Sequence, residues 1–205
     1  MQNKSYINTL TNEVHPTKQK LIDSSKIEFF EKGYLKASLR NICTKCKVTT
    51  GAFYFFFPSK EALFCTIVDP VISEWKNLMN ELVEEEKKNP SSAMDNDKKI
   101  MEFEMKNRME ILILLEKCEG SCYENFRSEI FNIIKKHFID YFTLYLGHSP
   151  KLEVVEMLVN LRIETNINIL KGACNMEQAL LLNEIMACYA DGGFKNLINK
   201  LKDKI

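Results

Sequence analysis

The residues best suited to chemistry form a short run of small and hydroxyl side chains, Thr49-Thr50-Gly51-Ala52, followed closely by Tyr54. Thr49 is a residue type that caps helices, so the run is predicted to occupy the first turn of a helix that ends near residue 56. Small side chains would let this turn approach a major groove closely. The hydroxyl groups could then reach bases or phosphates.

The neighbouring segments are predicted to position this turn. Ser38 can cap a short helix over residues 39–45, and a turn at residues 46–48 separates it from the next helix. An earlier helix opens at Pro16 and is stopped by Gly33. Two short helices joined by a tight turn are the ingredients of a helix-turn-helix. We expect its core to contain Phe29, Tyr34, Ile42, Cys43, Cys46, Val48, Phe53 and Phe57.

The charge distribution favours an anionic partner for this end of the chain. The 205 residues have a formal net charge of zero, but residues 1–67 contain ten Lys/Arg against five acidic residues. This part is therefore +5 and the remainder −5. A basic end on an acidic body suggests that only the first part meets a polyanion, although ordinary scatter of surface charge is an alternative.

The remainder of the chain has the composition and periodicity of a helical protein. Gly and Pro are few, and we expect helices at about residues 60–87, 94–117, 123–146, 151–172 and 176–202. Pro70 is expected to kink or divide the first of these. The predicted fold is all-α, with a polar arm at residues 1–15, a DNA-binding domain at 16–65 and a helical body at 66–205. No export signal or membrane span is evident, which favours a cytoplasmic protein with reduced thiols.

The sequence supports no catalytic or metal-binding motif. Cys43 and Cys46 form a C-x-x-C, but a structural zinc needs a second ligand pair, so we interpret both as small buried residues. Cys118 and Cys122 are interpreted as free thiols at a helix end, with oxidant sensing as the alternative. No phosphate loop, nucleophile motif or acid–base pair stands out. We therefore expect no enzyme activity, no metal and no cofactor.

Taken in order, several short motifs resemble the DNA-binding domain of the TetR/AcrR family of transcriptional regulators. They cover about residues 16–65, and their order and spacing make the resemblance specific. The motifs are Leu21-Ile22-Asp23, Phe29, Glu31-Lys32-Gly33-Tyr34, Ser38-Leu39-Arg40-Asn41-Ile42, Val48-Thr49-Thr50-Gly51-Ala52-Phe53-Tyr54 and Phe57-Pro58-Ser59-Lys60-Glu61-Ala62-Leu63.

The resemblance implies a role for individual residues on DNA. Thr49, Thr50 and Ala52 match positions that meet bases, and Gly51 lies between them. Arg40 matches a position in the second helix that can reach DNA, and the positions implied to contact the DNA backbone are Ser38, Tyr54 and Lys60.

Cys43 and Cys46 stand where small Ala-like residues are usual in the family, and two further positions depart from its pattern. Lys47 stands in the turn where Gly is usual, at a cost on the order of 1 kcal/mol if φ is positive, and it could add a phosphate contact. Phe56 replaces a His or Tyr; it would touch thymine methyls or sugar if exposed, and join the core if buried. These departures leave open an alternative function, a helical protein-interaction module that has lost specific DNA binding.

The resemblance also implies that the body forms a homodimer and encloses an apolar pocket for a small effector, so that the protein would be a ligand-responsive repressor of its operator. The expected pocket residues, each with plain core as the alternative, are Trp75, Met79, Phe103, Met109, Tyr123 and Phe126. The last two helices would form the dimer interface, through apolar residues that include Val155, Leu158, Ile163, Leu181, Ile185, Met186, Tyr189 and Phe194.

Overall fold

A computed structural model describes residues 15–89 and 92–202 of the chain. This part is built from helices, and no strand occurs within it. The predicted N-terminal arm lies almost entirely outside the described residues. The helices are α1 Pro16–Lys36, α2 Leu39–Cys46, α3 Thr50–Phe56, α4 Lys60–Lys88, α5 Ala93–Lys106, α6 Arg108–Glu116, α7 Phe126–Leu146, α8 Leu152–Gly172 and α9 Met176–Lys202.

Side-chain caps set the starts of the three helices that follow α1. Ser38 Oγ accepts a hydrogen bond from the Asn41 amide at 3.4 Å. Thr49 Oγ1 accepts from the Ala52 amide at 3.1 Å, and Ser59 Oγ from the Ala62 amide at 3.0 Å. Each hydroxyl satisfies an amide that has no partner within its helix. The predicted caps at Ser38 and Thr49 are therefore confirmed, and Ser59 caps α4 in the same way.

Gly33 bends α1 one turn before its end. Its φ of 75° and ψ of 161° are far from helical values, and the chain resumes a short turn to Lys36. The bend turns the Tyr34 amide outward, where it donates to the Lys117 carbonyl at 2.8 Å. A residue with a Cβ would be strained at this φ, so the glycine positions the contact between α1 and the end of α6.

The helix-turn-helix core continues without interruption into the body. Phe29, Tyr34 and Phe64 form an aromatic group in which the Phe64 ring lies 5.1 Å from Phe29 and 4.8 Å from Tyr34. One buried cluster contains most of the core residues predicted for α1 to α3 together with residues of α4, α6 and α7, and the predicted Cys46 and Val48 are partly buried against it. Because α4 passes through both regions, the predicted boundary at residues 65 and 66 falls inside a helix.

The body has a second core formed mainly by α5, α6 and α8. Its buried members include Met101, Leu112, Val155, Val159 and Ile167. Helix α5 packs along α9, and α7 packs along α8. None of the helices in the described part of the chain has the length and apolarity needed to cross a membrane.

Two helix predictions differ from the structure. The single helix predicted over residues 94–117 is divided at Asn107, whose φ of −109° and ψ of 29° end α5 and begin α6. Asn107 Nδ2 donates to the Phe103 carbonyl at 3.1 Å, so the side chain satisfies the broken end. Conversely, Pro70 lies within α4 without dividing it; its ring faces solvent on the exposed side of the helix.

Candidate nucleic-acid interface

Helix α3 is anchored by one face and exposes the other. Phe53 and Phe57 are buried, at spacing i, i+4, and fix α3 in the core. Thr49, Thr50 and Gly51 are exposed in the first turn, and Ala52 is half-buried. This arrangement presents a smooth helix end to solvent, as predicted. A Cβ on Gly51 would meet only Thr49 Oγ1 at 3.7 Å, so nothing inside the domain requires the glycine.

The turn between α2 and α3 is closed by Lys47 in a left-handed conformation. Its φ of 57° is the only positive value at a non-glycine residue within the described part of the chain. The Lys47 amide donates to the Thr44 carbonyl at 3.1 Å, and the Val48 amide donates to the Cys43 carbonyl at 3.0 Å. Both bonds satisfy carbonyls at the end of α2. Lys47 therefore adopts the positive φ at which a residue other than glycine is strained.

An ion pair between an exposed lysine and a buried glutamate connects α2 to α1. Lys45 Nζ lies 2.9 Å from Glu28 Oε2, and the Glu28 side chain is only 3% exposed. The hydrogen bond from Lys45 holds the pKa of Glu28 below its usual value, against the opposing effect of burial. The Lys45 side chain therefore stabilises the packing of α2 on α1. Arg40 and Lys47, in contrast, have exposed side chains beside the first turn of α3.

Lys60 is placed differently from the expected phosphate contact. Its ammonium donates to the carbonyls of Tyr34, Leu35 and Ala37 at 2.7, 3.4 and 3.4 Å and lies 4.3 Å from the centre of the Tyr34 ring. Burial lowers the pKa of Lys60. In this structure the cation satisfies the carbonyl end of α1. A phosphate contact would have to share these protons and stays a prediction.

The aromatic end of α3 was only partly anticipated. Tyr54 is 55% exposed and its ring meets the Phe53 ring edge-on. Phe56 is half-buried, with its ring centre 4.9 Å from that of His15. The outward-facing aromatic is Phe55, which is 82% exposed. The spacing of Phe53 and Phe57 could have revealed this, because the residue midway between them must point away from the core.

Sequence comparison assigns this domain to a family. A family model described as bacterial regulatory proteins, tetR family, matches residues 21–66. The regulator YuxN of Bacillus subtilis is 43% identical over 53 residues, which are 25% of this chain and 18% of that protein. The regulator UidR of Escherichia coli K12 is 32% identical over 62 residues, 30% of this chain and 32% of that protein. The N-terminal domain is therefore similar to the DNA-binding domains of the tetR family of bacterial regulatory proteins. These matches span at most about a third of the relatives' length.

Solved structures extend the likeness to the fold of the helical body. A transcriptional regulator from Aquifex aeolicus superposes with a TM-score of 0.56 at 22% identity, covering 84% of this chain and 99% of that one. NalD from Pseudomonas aeruginosa, described as the secondary repressor of a multidrug efflux pump, superposes at 0.55 and 21% identity, covering 83% and 93%. The all-α fold class, a helix-turn-helix followed by a helical body, is thereby confirmed.

The residues expected to line an effector pocket are packed together in the helical body. Trp75 and Phe126 are buried in the first core, and Met79, Phe103 and Tyr123 pack against it; Met109 is half-buried. An open groove of about 530 Å³ lies between the end of α6 and the start of α7, lined largely by polar residues, and none of the six borders it. The pocket assignment stays a prediction, and it would require this packing to open.

Only some of the residues expected at the dimer interface face outward. Leu181, Ile185 and Tyr189 are 55%, 54% and 72% exposed and lie along one side of α9. Val155 and Ile163 instead point into the second core, so their assignment to a surface was wrong; Leu158 and Met186 are half-buried, and the Phe194 side chain lies outside the described residues. On α8 the exposed apolar side chains are Leu152, Met157 and Leu161, which the sequence prediction missed.

Within the described residues, no group of three or more His, Cys, Asp or Glu side chains is arranged to hold a metal ion. The predicted C-x-x-C is folded into the helix-turn-helix. Cys43 is buried in the core, and Cys46 Sγ donates to the Lys20 carbonyl at 3.3 Å. Both thiols therefore pack and bond within the domain, as the structural interpretation of the motif predicts.

Proposed function

We propose that the protein is a ligand-responsive transcriptional regulator that binds operator DNA as a homodimer and is released by a small apolar effector. The observation that carries the proposal is the exposed first turn of α3, in which Thr49, Thr50 and Gly51 face solvent while Phe53 and Phe57 hold the helix from behind. Such a turn can enter a major groove without a bulky side chain in the way. The proposal assigns no enzyme activity and places the protein with DNA in the cytoplasm.

The contacts divide into base-reading and backbone groups. The hydroxyls of Thr49 and Thr50, with the methyl of Ala52, are suited to base edges. Arg40 and Lys47 flank them as exposed cations suited to phosphates, and each would add to the salt dependence of binding. Ser38 and Tyr54 carry hydroxyls that can donate to phosphate oxygens.

Pairing of two chains would use α8 and α9. Their exposed leucine, isoleucine, methionine and tyrosine side chains form an apolar surface of the kind that marks protein interfaces. A two-fold dimer would place two α3 helices on successive major-groove faces of a palindromic site. We expect repression rather than activation because the family resemblance favours it, and NalD, which shares the fold, is described as a repressor.

Release would follow from an effector that prefers a different packing of the body. The aromatic and methionine side chains around Trp75 can rearrange around varied apolar ligands. Because this cluster is continuous with the helix-turn-helix core through α4, a ligand that opens it would change the position of the DNA-binding domain.

One observation favours the alternative, a protein-interaction module. Phe55 is 82% exposed at the end of α3, and a large exposed aromatic ring is typical of protein interfaces. Protein binding through this ring would depend weakly on salt, whereas DNA binding through several phosphates depends on it steeply. Salt dependence therefore separates the two functions.

The test is binding of the full chain to a fluorescent duplex from the DNA upstream of its own gene, against a shuffled duplex, at several salt concentrations. We expect at least a hundredfold preference for the upstream duplex and a steep loss of affinity as salt increases. Tyr54→Phe should weaken binding to both duplexes by about threefold to tenfold, the loss of one hydrogen bond. Equal, salt-insensitive binding to both duplexes would refute the regulator proposal.

A further inference from the structure

A pair of thiols joins two parts of the molecule that are distant in sequence. Cys65 lies on the second turn of α4, and Cys122 lies in the segment between α6 and α7, 57 positions later in the sequence. Their Sγ atoms are 3.5 Å apart. We propose that Cys65 and Cys122 are a reversible disulfide site that, on oxidation by a low-molecular-weight disulfide, fastens the DNA-binding domain to the body. This inference goes beyond the proposed function and does not depend on DNA binding.

The structure pairs the cysteines differently from the sequence. Cys118, the closest cysteine to Cys122 in the sequence, is buried, and its thiol hydrogen bonds the carbonyls of Leu114 at 3.0 Å and Tyr123 at 2.9 Å. Cys122 is exposed and faces Cys65, which is half-buried. A disulfide bond is about 2.05 Å long, so closure needs a movement of about 1.5 Å, within the reach of side-chain rotation.

Two hydrogen bonds hold the thiols in place. The Cys122 amide donates to Glu61 Oε1 at 3.1 Å, and the Tyr123 hydroxyl donates to Asp69 Oδ1 at 2.8 Å. Glu61 and Asp69 lie on α4, one turn before and one turn after Cys65. The segment is therefore docked on α4 on both sides of the pair, which raises the effective concentration of one thiol beside the other.

The surroundings also assign an order to the chemistry. Burial, the Cys65 sulfur and the Glu61 carboxylate together raise the pKa of Cys122 to about 12, so this group is a thiol at neutral pH. Cys65 is thus the first nucleophile and Cys122 the second. Because only a thiolate attacks a disulfide, the step in which Cys122 attacks is expected to be the slow one, and the oxidised state to form over hours rather than seconds.

The reaction is two successive exchanges. The Cys65 thiolate attacks one sulfur of the small disulfide, which breaks its S–S bond, forms a mixed disulfide and expels one small thiolate. The Cys122 thiolate then attacks Cys65 Sγ, forms the internal bond and expels the second small thiolate. Each expelled thiolate takes up the proton lost by one cysteine. The protein loses two hydrogens and two electrons, and the small disulfide is reduced to two thiols.

The Cys65–Cys122 disulfide would link the DNA-binding domain to the body. Leu63 and Phe64, beside Cys65 on α4, belong to the helix-turn-helix core. Cys122 lies just beyond Lys117, whose carbonyl accepts the Tyr34 amide. A covalent link here would hold α4 and the α6–α7 segment in their present arrangement, which only non-covalent contacts maintain in the reduced protein.

The test is incubation of the full chain carrying Cys174→Ser and Cys188→Ser with oxidised glutathione at pH 8. These two exposed cysteines are removed to prevent links between molecules. We expect the intact mass to decrease by two hydrogens, a peptide joining Cys65 to Cys122, and a rise in melting temperature of about 5–10 °C that dithiothreitol reverses. In the same background, Cys122→Ser should accumulate a single glutathione on Cys65, because the resolving thiol is gone.

Three results would overturn the proposal. The first is persistence of the mixed disulfide with Cys122 present, and the second is a linked peptide that contains Cys118 in place of Cys65. The third is no mass change after a day at a glutathione concentration that modifies Cys188 when that residue is restored. Circular dichroism of each variant confirms that it is folded, so a loss of the link reports on the chemistry.

Discussion

The first turn of α3 and the outer sides of α8 and α9 expose opposite kinds of surface. The turn presents hydroxyls, a glycine and flanking cations, with its large side chains facing inward. The C-terminal helices expose large apolar side chains, including Leu161, Leu181 and Tyr189. A hydrated polyanion is recognised by small polar groups and charges, whereas apolar side chains are suited to a surface from which water is expelled. The two regions are therefore suited to different partners.

The two regions also differ in how they accommodate a buried carboxylate. Glu28 in α1 is paired with Lys45, which keeps it charged. Glu104 in α5 is buried, accepts from Asn166 Nδ2 at 3.2 Å, and has its pKa raised to about 7 mainly by burial, against the attraction of Arg162. The Glu28 carboxyl thus stays charged near neutrality, whereas the body contains a carboxyl whose pKa lies there.

The largest effect is expected from placing a charge on the apolar surface of α9. Ile185→Asp should weaken self-association by more than a hundredfold, because an unpaired carboxylate would be buried in the interface. Analytical ultracentrifugation over a concentration series measures this. The matched control is Leu144→Asp, which alters a side chain of α7 that is 74% exposed and outside the proposed interface. Equal dissociation by both variants would show that α9 is not the interface.

The next effect concerns Glu104 and pH. Its folded pKa of about 7 exceeds the ordinary value of 4.5, so the native state binds the proton more tightly. The contribution of Glu104 to the free energy of unfolding is therefore fully present below about pH 4.5. It is lost as pH increases through 7, and the total loss is about 2–3 kcal/mol. Glu104→Gln should remove this loss and raise the melting temperature at pH 8.

Thermal melts from pH 5 to pH 8 provide the measurement. Glu153→Gln, at an exposed carboxylate in the first turn of α8, serves as the control and should keep the wild-type pH profile. A profile for Glu104→Gln that parallels the wild type would contradict a neutral buried carboxyl.

A smaller effect is expected at Gly51, where one substitution should lower DNA affinity without lowering the stability of the fold. Gly51→Ala adds a methyl group that meets only Thr49 Oγ1 at 3.7 Å and favours the helix by roughly 0.5–1 kcal/mol. The melting temperature should therefore stay level or rise. DNA affinity should decrease about tenfold, because the methyl group occupies the space needed by the groove. Unchanged affinity would mean that this turn does not approach DNA closely.

The smallest effect is predicted at Lys47. Lys47→Gly relieves the positive φ and should stabilise the domain by up to about 1 kcal/mol. It also removes one cation, so the slope of affinity against salt should become shallower by about one phosphate contact. Lys47→Asn, which tolerates the same φ and is also uncharged, should reproduce the change in slope. If both variants kept the wild-type slope, Lys47 would have no phosphate contact.

Local chemistry explains why the helix-turn-helix could be predicted in detail. The caps at Ser38, Thr49 and Ser59 and the left-handed Lys47 each depend on residues within a few positions of one another. Such short-range rules can be read from the chain directly. The role of Lys60 could not, because it depends on carbonyls 23 to 26 positions away that are brought near only by the bend at Gly33.

Long-range packing explains why the body was predicted less well. Val155 and Leu161 are both apolar residues of α8, yet one is buried and the other is 52% exposed. Periodicity finds an apolar helix but does not state which of two apolar sides meets the core. The pairing of Cys65 with Cys122 likewise depends on how the α6–α7 segment docks on α4, and no spacing in the sequence encodes it.

Lys117 holds α1 by two independent means. Its carbonyl accepts the Tyr34 amide, and its ammonium donates to the Phe30 carbonyl and lies 4.5 Å from the centre of the Phe30 ring. The end of α6 is therefore attached to the end of α1 by a main-chain and a side-chain contact, on both sides of the bend at Gly33. In genetic terms, the function proposed above predicts that substitutions at Lys117 yield a distinct class of mutant, one that still occupies its operator but is no longer induced.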